Sequence, residues 1–138
     1  MLLVSCVSAT SELDSSPTTL PIATLQVDGS ELQVAVADDS AERRQGLRDR
    51  SSMPGGVDGV LFVYDRPTVT TFDMASVGFD LDVWWFDEDG HLLGSTRMET
   101  CPDQECVGYA SPGPIMWALE TNAGAFELSP DVSLSFPD

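Results

Sequence analysis

Leu81-Asp82-Val83-Trp84-Trp85-Phe86 runs into Asp87-Glu88-Asp89-Gly90 and then into His91-Leu92-Leu93. A short run rich in aromatic and β-branched residues, closed by an acidic turn ending in glycine, reads as a strand entering a tight β-hairpin. Consecutive side chains on a strand leave opposite faces of the sheet. Trp84 and Trp85 therefore cannot enter one core. Either a second layer packs on the sheet, or one indole is exposed for sugar stacking or a partner, or one lies beneath the N-terminal segment; packing against a second layer is the favoured reading.

Outward from this hairpin the same period-two pattern recurs from Ile22 onward, in short runs of Val, Leu, Phe and Trp separated by Gly, Pro and Asp. It predicts strands at 22–27 and 31–37, joined through Asp28-Gly29, and further strands at 59–64, 69–74, 81–86, 91–98, 115–121 and 132–136. Asp39 can cap a helix, and Glu42 stands where its side chain can reach back to the cap. Gly46 weakens the interior of the 39–50 segment, so only a short helix is expected there, followed by the loop Pro54-Gly55-Gly56. Many short strands with one short helix and no helical crossovers predict a mostly β fold, a small barrel-like or sandwich domain over 22–138.

At 138 residues the chain can bury one core and is too short for two ordinary domains. Six arginines, with no lysine, stand against 23 acidic residues, a formal net charge of −17. Such a surface repels phosphate backbones and anionic headgroups, so nucleic acid is not an expected partner. Leu3-Val4-Ser5-Cys6 looks like a bacterial lipobox, and the following Ser-, Thr- and Pro-rich segment to Pro21 has too few large apolar residues to pack. Residues 1–21 thus read as a signal remnant and tether, with a lipid on Cys6 holding the domain at a membrane outside the cytoplasm. Cys101 and Cys106 enclose a short loop and are expected to form a disulfide in an oxidising compartment.

Familiar catalytic signatures are missing: there is no nucleophile elbow, no phosphate-cradling glycine loop with lysine and no paired-histidine zinc motif. The lone His91 begins a strand. A metal trio with Cys101 and Cys106 lacks a fourth ligand, and Asp87, Glu88 and Asp89 fail the calcium-loop frame, so neither metal nor cofactor is expected. Asp80 and Asp82 share a strand face and could tune each other's protonation, or Asp82 could accept backbone N–H groups or pair with an arginine. Arg50 could clamp a ligand carboxylate, or pair with Asp82 or Glu42 and fasten the helix to the sheet.

Several blocks occur together in order: Glu42-Arg43-x-x-Gly46-Leu47-x-x-Arg50, Gly59-Val60-Leu61-Phe62, Phe72-x-Met74, Leu81-Asp82-Val83 with Asp87-x-x-Gly90, Cys101-Pro102 to Cys106 with Tyr109, and Leu119-Glu120 with Gly124. The set resembles the bacterial and archaeal family called domain of unknown function 192, over roughly residues 25–136. The resemblance implies a small β-rich protein, often exported or lipoprotein-like, and transfers no activity. The family's usual Trp-Met-Lys-Asn-Thr stretch is replaced here around Phe72-Asp73-Met74-Ala75-Ser76, with the lysine's cation lost and Asp73 added.

Glu42, Arg50, Asp82 and Tyr109 come from separate blocks and are the candidate polar cluster. The expected function is a noncatalytic, extracytoplasmic, lipid-anchored module binding a small ligand or an envelope protein. The alternatives are a small hydrolase or lyase using Asp82 with Asp80 or Glu42, and a structural envelope assembly protein.

Overall fold

In the computed structural model residues 16–102 and 105–136 are described, and the lipobox-like segment with Cys6 lies outside them. The chain forms β1 (Ile22–Val27), β2 (Ser30–Ala37), α1 (Ser40–Gln45), β3 (Gly59–Thr68), β4 (Thr71–Phe72), β5 (Leu81–Phe86), β6 (Leu92–Met98), β7 (Tyr109–Ala110), β8 (Ile115–Asn122) and β9 (Leu134–Ser135). Seven strands make one sheet in the order β6-β5-β8-β3-β2-β1-β9, while β4 and β7 pair separately. The fold is mostly β, a strongly curled half-barrel with one short helix, as the hydrophobic pattern predicts.

Turn chemistry sets the hairpins. Asp28 and Gly29 both take positive φ, 53° and 81°, the pair of values that a two-residue hairpin turn needs between twisted strands. In the 87–90 turn, Asp87 Oδ1 accepts the N–H groups of Asp89 and His91, both at 2.9 Å, which gives that carboxylate a backbone role. The curl brings the two ends of the sheet together: His91 bridges Ser133, Leu92 N–H donates to Val132 O, and Leu134 N–H donates to Gly90 O.

Two expectations are corrected. The sheet does contain a helical crossover, because β2 and β3 run parallel and α1 lies on the connection between them. A parallel pair cannot be joined by a tight turn, and the connection's capped helix supplies the crossover. The 69–74 run does not enter the main sheet; only Thr71 and Phe72 pair, with Ala110 and Tyr109. Asp39 caps α1 by accepting from Glu42 N at 2.8 Å, and Glu42 Oε1 reaches back to Asp38 N at 3.0 Å, one residue beyond the cap. The helix stops at Gln45, with Gly46 as its C-cap.

Both faces of the central strands are buried, and all six residues of β5 are inside. Val83 and Trp85 join Ala35, Val60, Phe62, Leu47 and Met74 in one core on the face covered by α1, β4 and β7. Trp84 and Phe86 join Leu25, Val34, Leu61, Leu119 and Leu134 in a second core. The two indoles thus fill different cores, each under 8% exposed. Trp84 Nε1 donates to Thr121 Oγ1 at 3.2 Å. Among the described residues no helix is long and apolar enough to cross a membrane.

Candidate functional site

Along β8 the alternation places Ala118 in the helix-covered core and Leu119 in the other, so Glu120 returns to the helix-covered face. There it pairs across the sheet with Val60 of β3 and Val83 of β5, and is only 5% exposed. Gly59 sits beside it, because a Cβ at that position would run into the Glu120 carbonyl oxygen. Glycine here lets β3 and β8 approach where the carboxylate enters the core.

Glu120 lines a cavity of about 280 Å³. Its walls are Phe62 and Tyr64 of β3, Thr70, Phe72 and Asp73 around β4, and Arg43, Arg44 and Arg48 from α1 and the turn after it. Three of the six arginines of a strongly acidic chain therefore border one cavity. Two of them are engaged. Arg43 donates to Val63 O at 2.7 Å and lies 4.8 Å from the Tyr64 ring centroid, a cation–π contact. Arg48 donates to Asp73 Oδ1 at 3.0 Å, Ala75 O at 2.6 Å and, through Nε, Arg44 O at 3.0 Å. Among the described residues the exposed Arg44 guanidinium has no hydrogen bond or ion pair, and the Glu120 carboxyl has no hydrogen bond.

These surroundings set the protonation states. Burial pushes the Glu120 carboxyl up from 4.5 to about 8; Arg48 opposes the shift and Asp73 adds to it. Hydrogen bonds from Arg48 and then from the Ala75 N–H hold Asp73 below the usual carboxylate range. Burial raises Tyr64, against hydrogen bonding with Thr70 and the charge of Arg43. At neutral pH the cavity therefore presents a neutral carboxylic acid, a neutral phenol and an excess of guanidinium charge. It suits a small anionic or polar guest and offers no set of ionised ligands for a metal.

The four residues singled out by sequence do not form one cluster: Glu42 and Arg50 share a groove, while Asp82 and Tyr109 lie elsewhere. Asp82 accepts from Arg97 Nε at 2.6 Å and from Gly124 N–H at 2.9 Å, on the sheet face opposite to Glu120. Asp80 accepts from Thr100 N–H. Glu42 and Arg50 border a common groove under Thr18–Leu20, and the expected pairing of Arg50 with Asp82 or Glu42 is replaced by donation to the Ser16 and Pro17 carbonyls. The cause is the packing of the 16–21 segment onto the domain: Leu20 rests on the helix-covered core and Pro21 O accepts from Val36 N–H. Tyr109 lines a shallow cavity beside the Cys101–Cys106 disulfide, which closes as expected. A wider, more open cleft of about 890 Å³ also borders that disulfide.

The sequence matches the family model described as DUF192, an uncharacterised conserved family, over residues 23–134. The chain belongs to the DUF192 family. No curated protein is matched. Two solved structures share the DUF192 fold seen here. One is a "putative transcription regulator" from Sinorhizobium meliloti 1021, 23% identical, TM-score 0.75, covering 88% of this chain and 98% of that one. The other is a protein of unknown function from Novosphingobium aromaticivorans DSM 12444, also 23% identical, TM-score 0.73, covering 86% and 88% respectively.

Glu120 was present in the sequence only as part of a DUF192 block. Its signal was a glutamate between Leu119 and Thr121 in a run otherwise apolar from Ile115 to Leu119. A charge on the buried face of a central strand is costly unless paired, and that cost marks a functional candidate.

Proposed function

We propose that this protein is a noncatalytic binding module that holds a small ligand in the Glu120 cavity and is displayed outside the cytoplasm on a lipid-modified Cys6. The observation that carries the binding reading is that Glu120, a residue 5% exposed, brings a carboxyl without a hydrogen-bonding partner among the described residues to the wall of a cavity. Among the described residues Trp85 Nε1 is the one fully buried side-chain polar atom without a partner, so the Glu120 carboxyl keeps contact with the cavity space, where a guest can hydrogen-bond to it directly. The paired-carboxylate chemistry considered from the sequence would need Asp82 beside another acid, or a free second carboxylate beside Glu120. Asp73 is tied to Arg48 and Ala75, and Asp82 faces the other side of the sheet, so binding is the better-supported role.

The lipobox-like Leu3-Val4-Ser5-Cys6, the Ser-, Thr- and Pro-rich stretch after it and the Cys101–Cys106 disulfide support an address in an oxidising compartment. The regulator role named for the Sinorhizobium protein is not carried over, since a net charge of −17 opposes contact with a phosphate backbone.

Native mass spectrometry of protein drawn from its own membrane tests both halves. The expected result is a small-molecule adduct that leaves on denaturation, and acyl chains on Cys6. Bare protein contradicts the binding reading, and an unacylated Cys6 contradicts the anchor.

A further inference from the structure

We infer that the guest of the Glu120 cavity is a small organic monocarboxylate with an apolar body, its anionic end held by Arg44 and a hydrogen-bonding group at its other end meeting Glu120. This deepens the binding reading above and rests on it. Arg44 is the one cavity arginine with no hydrogen bond or ion pair among the described residues, and a guanidinium's planar fork matches a carboxylate in two parallel hydrogen bonds. Arg43 and Arg48 already donate to Val63, Asp73 and Ala75. One free fork suits one negative charge. A dianionic phosphate would need more free cations, and would meet both the Asp73 carboxylate and the field of a chain with net charge −17.

The same cavity is lined by the rings of Phe62 and Phe72, which meet edge to face with centroids 5.6 Å apart. Their surfaces favour an apolar body, aromatic or short aliphatic. The ionisable groups facing the guest are Arg43, Arg44 and Arg48 from the helix and its turn, Tyr64 from β3, Asp73 beyond β4 and Glu120 from β8. Between about pH 6 and pH 9.5 Asp73 stays ionised and Tyr64 stays neutral. Glu120 is the group that changes, and its ionisation sets a second negative charge against the guest's own.

Isothermal titration calorimetry of the folded protein with benzoate, 4-hydroxybenzoate, hexanoate, 4-hydroxybenzamide and inorganic phosphate tests the inference. At pH 6.5 the carboxylates are expected to bind, and 4-hydroxybenzoate at least about 10-fold more tightly than its amide or phosphate. Arg44→Gln should lower carboxylate affinity by about 10-fold and leave the amide unchanged. Binding of benzoate and hexanoate, which have no group titrating in this range, should weaken by pH 9.5 in the wild type, and Glu120→Gln should remove that pH dependence. Equal binding of acid and amide, or an Arg44→Gln variant with unaltered affinity, overturns the carboxylate inference. If a neutral or cationic molecule is found on the native protein and no carboxylate binds, this inference falls and the binding reading stands. If nothing binds and nothing copurifies, both fall.

Discussion

Asp82 and Glu120 stand on hydrogen-bonded neighbours, β5 and β8, and both are under 9% exposed, yet they live in opposite chemistry. Asp82 is fully occupied: Arg97 takes one oxygen and the Gly124 N–H the other, so the carboxylate ties β5 to β6 and to the turn after β8. Glu120, one step along the ladder and on the other face, has no such partner among the described residues and looks into a cavity. A satisfied buried carboxylate is architecture. One without a protein partner beside open space is a candidate site, because a guest that enters can hydrogen-bond to it.

The sharpest way to break this contrast is the pH dependence of stability. The Glu120 carboxyl is raised in the fold, so the unfolded chain loses its proton near 4.5 while the folded one keeps it to about 8. Stability is then lost as pH climbs through that window and is level above it, by on the order of 5 kcal/mol for this one group. Glu120→Gln should match wild type near pH 5 and exceed it by that order near pH 9 in urea unfolding. Asp82→Ala should do the reverse in kind, losing about 2 kcal/mol at neutral pH, because it orphans the Gly124 N–H and unpairs Arg97.

Reduction of the Cys101–Cys106 bridge reopens a five-residue separation, and should also cost about 2 kcal/mol while leaving the pH slope of Glu120 intact. Thr121→Val should cost about 1 kcal/mol, read by the same unfolding curve, since it keeps the side-chain volume and removes the hydrogen bond from Trp84 Nε1. Arg44→Gln should alter stability by less than about 0.5 kcal/mol, as expected of an exposed side chain with no described partner.

Much of the fold was legible because local signals agreed with the tertiary result. Asp28-Gly29 specified its turn, Asp39 with Glu42 announced the helix, and the adjacent Trp84 and Trp85 favoured a second packed layer over an exposed indole. What stayed hidden depends on contacts distant in sequence. Nothing local says that β2 and β3 run parallel, or that Thr71-Phe72 leaves the main sheet to pair with Tyr109-Ala110. Arg50 reads in sequence as a ligand clamp or as a lock to Asp82 or Glu42, but its partners are the Ser16 and Pro17 carbonyls, which carry no sequence signature. The site was the least legible part. Asp82 stood out by its neighbours, whereas Glu120 gains meaning only when the arginines of the α1 turn and the rings of β3 and β4 close around it.

The measurement that bears most directly on this account is the titration of the Glu120 side-chain carboxyl by carbon-13 NMR, with Glu120→Gln used for assignment. The account predicts a midpoint displaced to about 8, in the unligated protein. A midpoint at the ordinary value of 4.5 would show a carboxylate already solvated or paired, and would contradict the reading of this cavity as a site awaiting a guest.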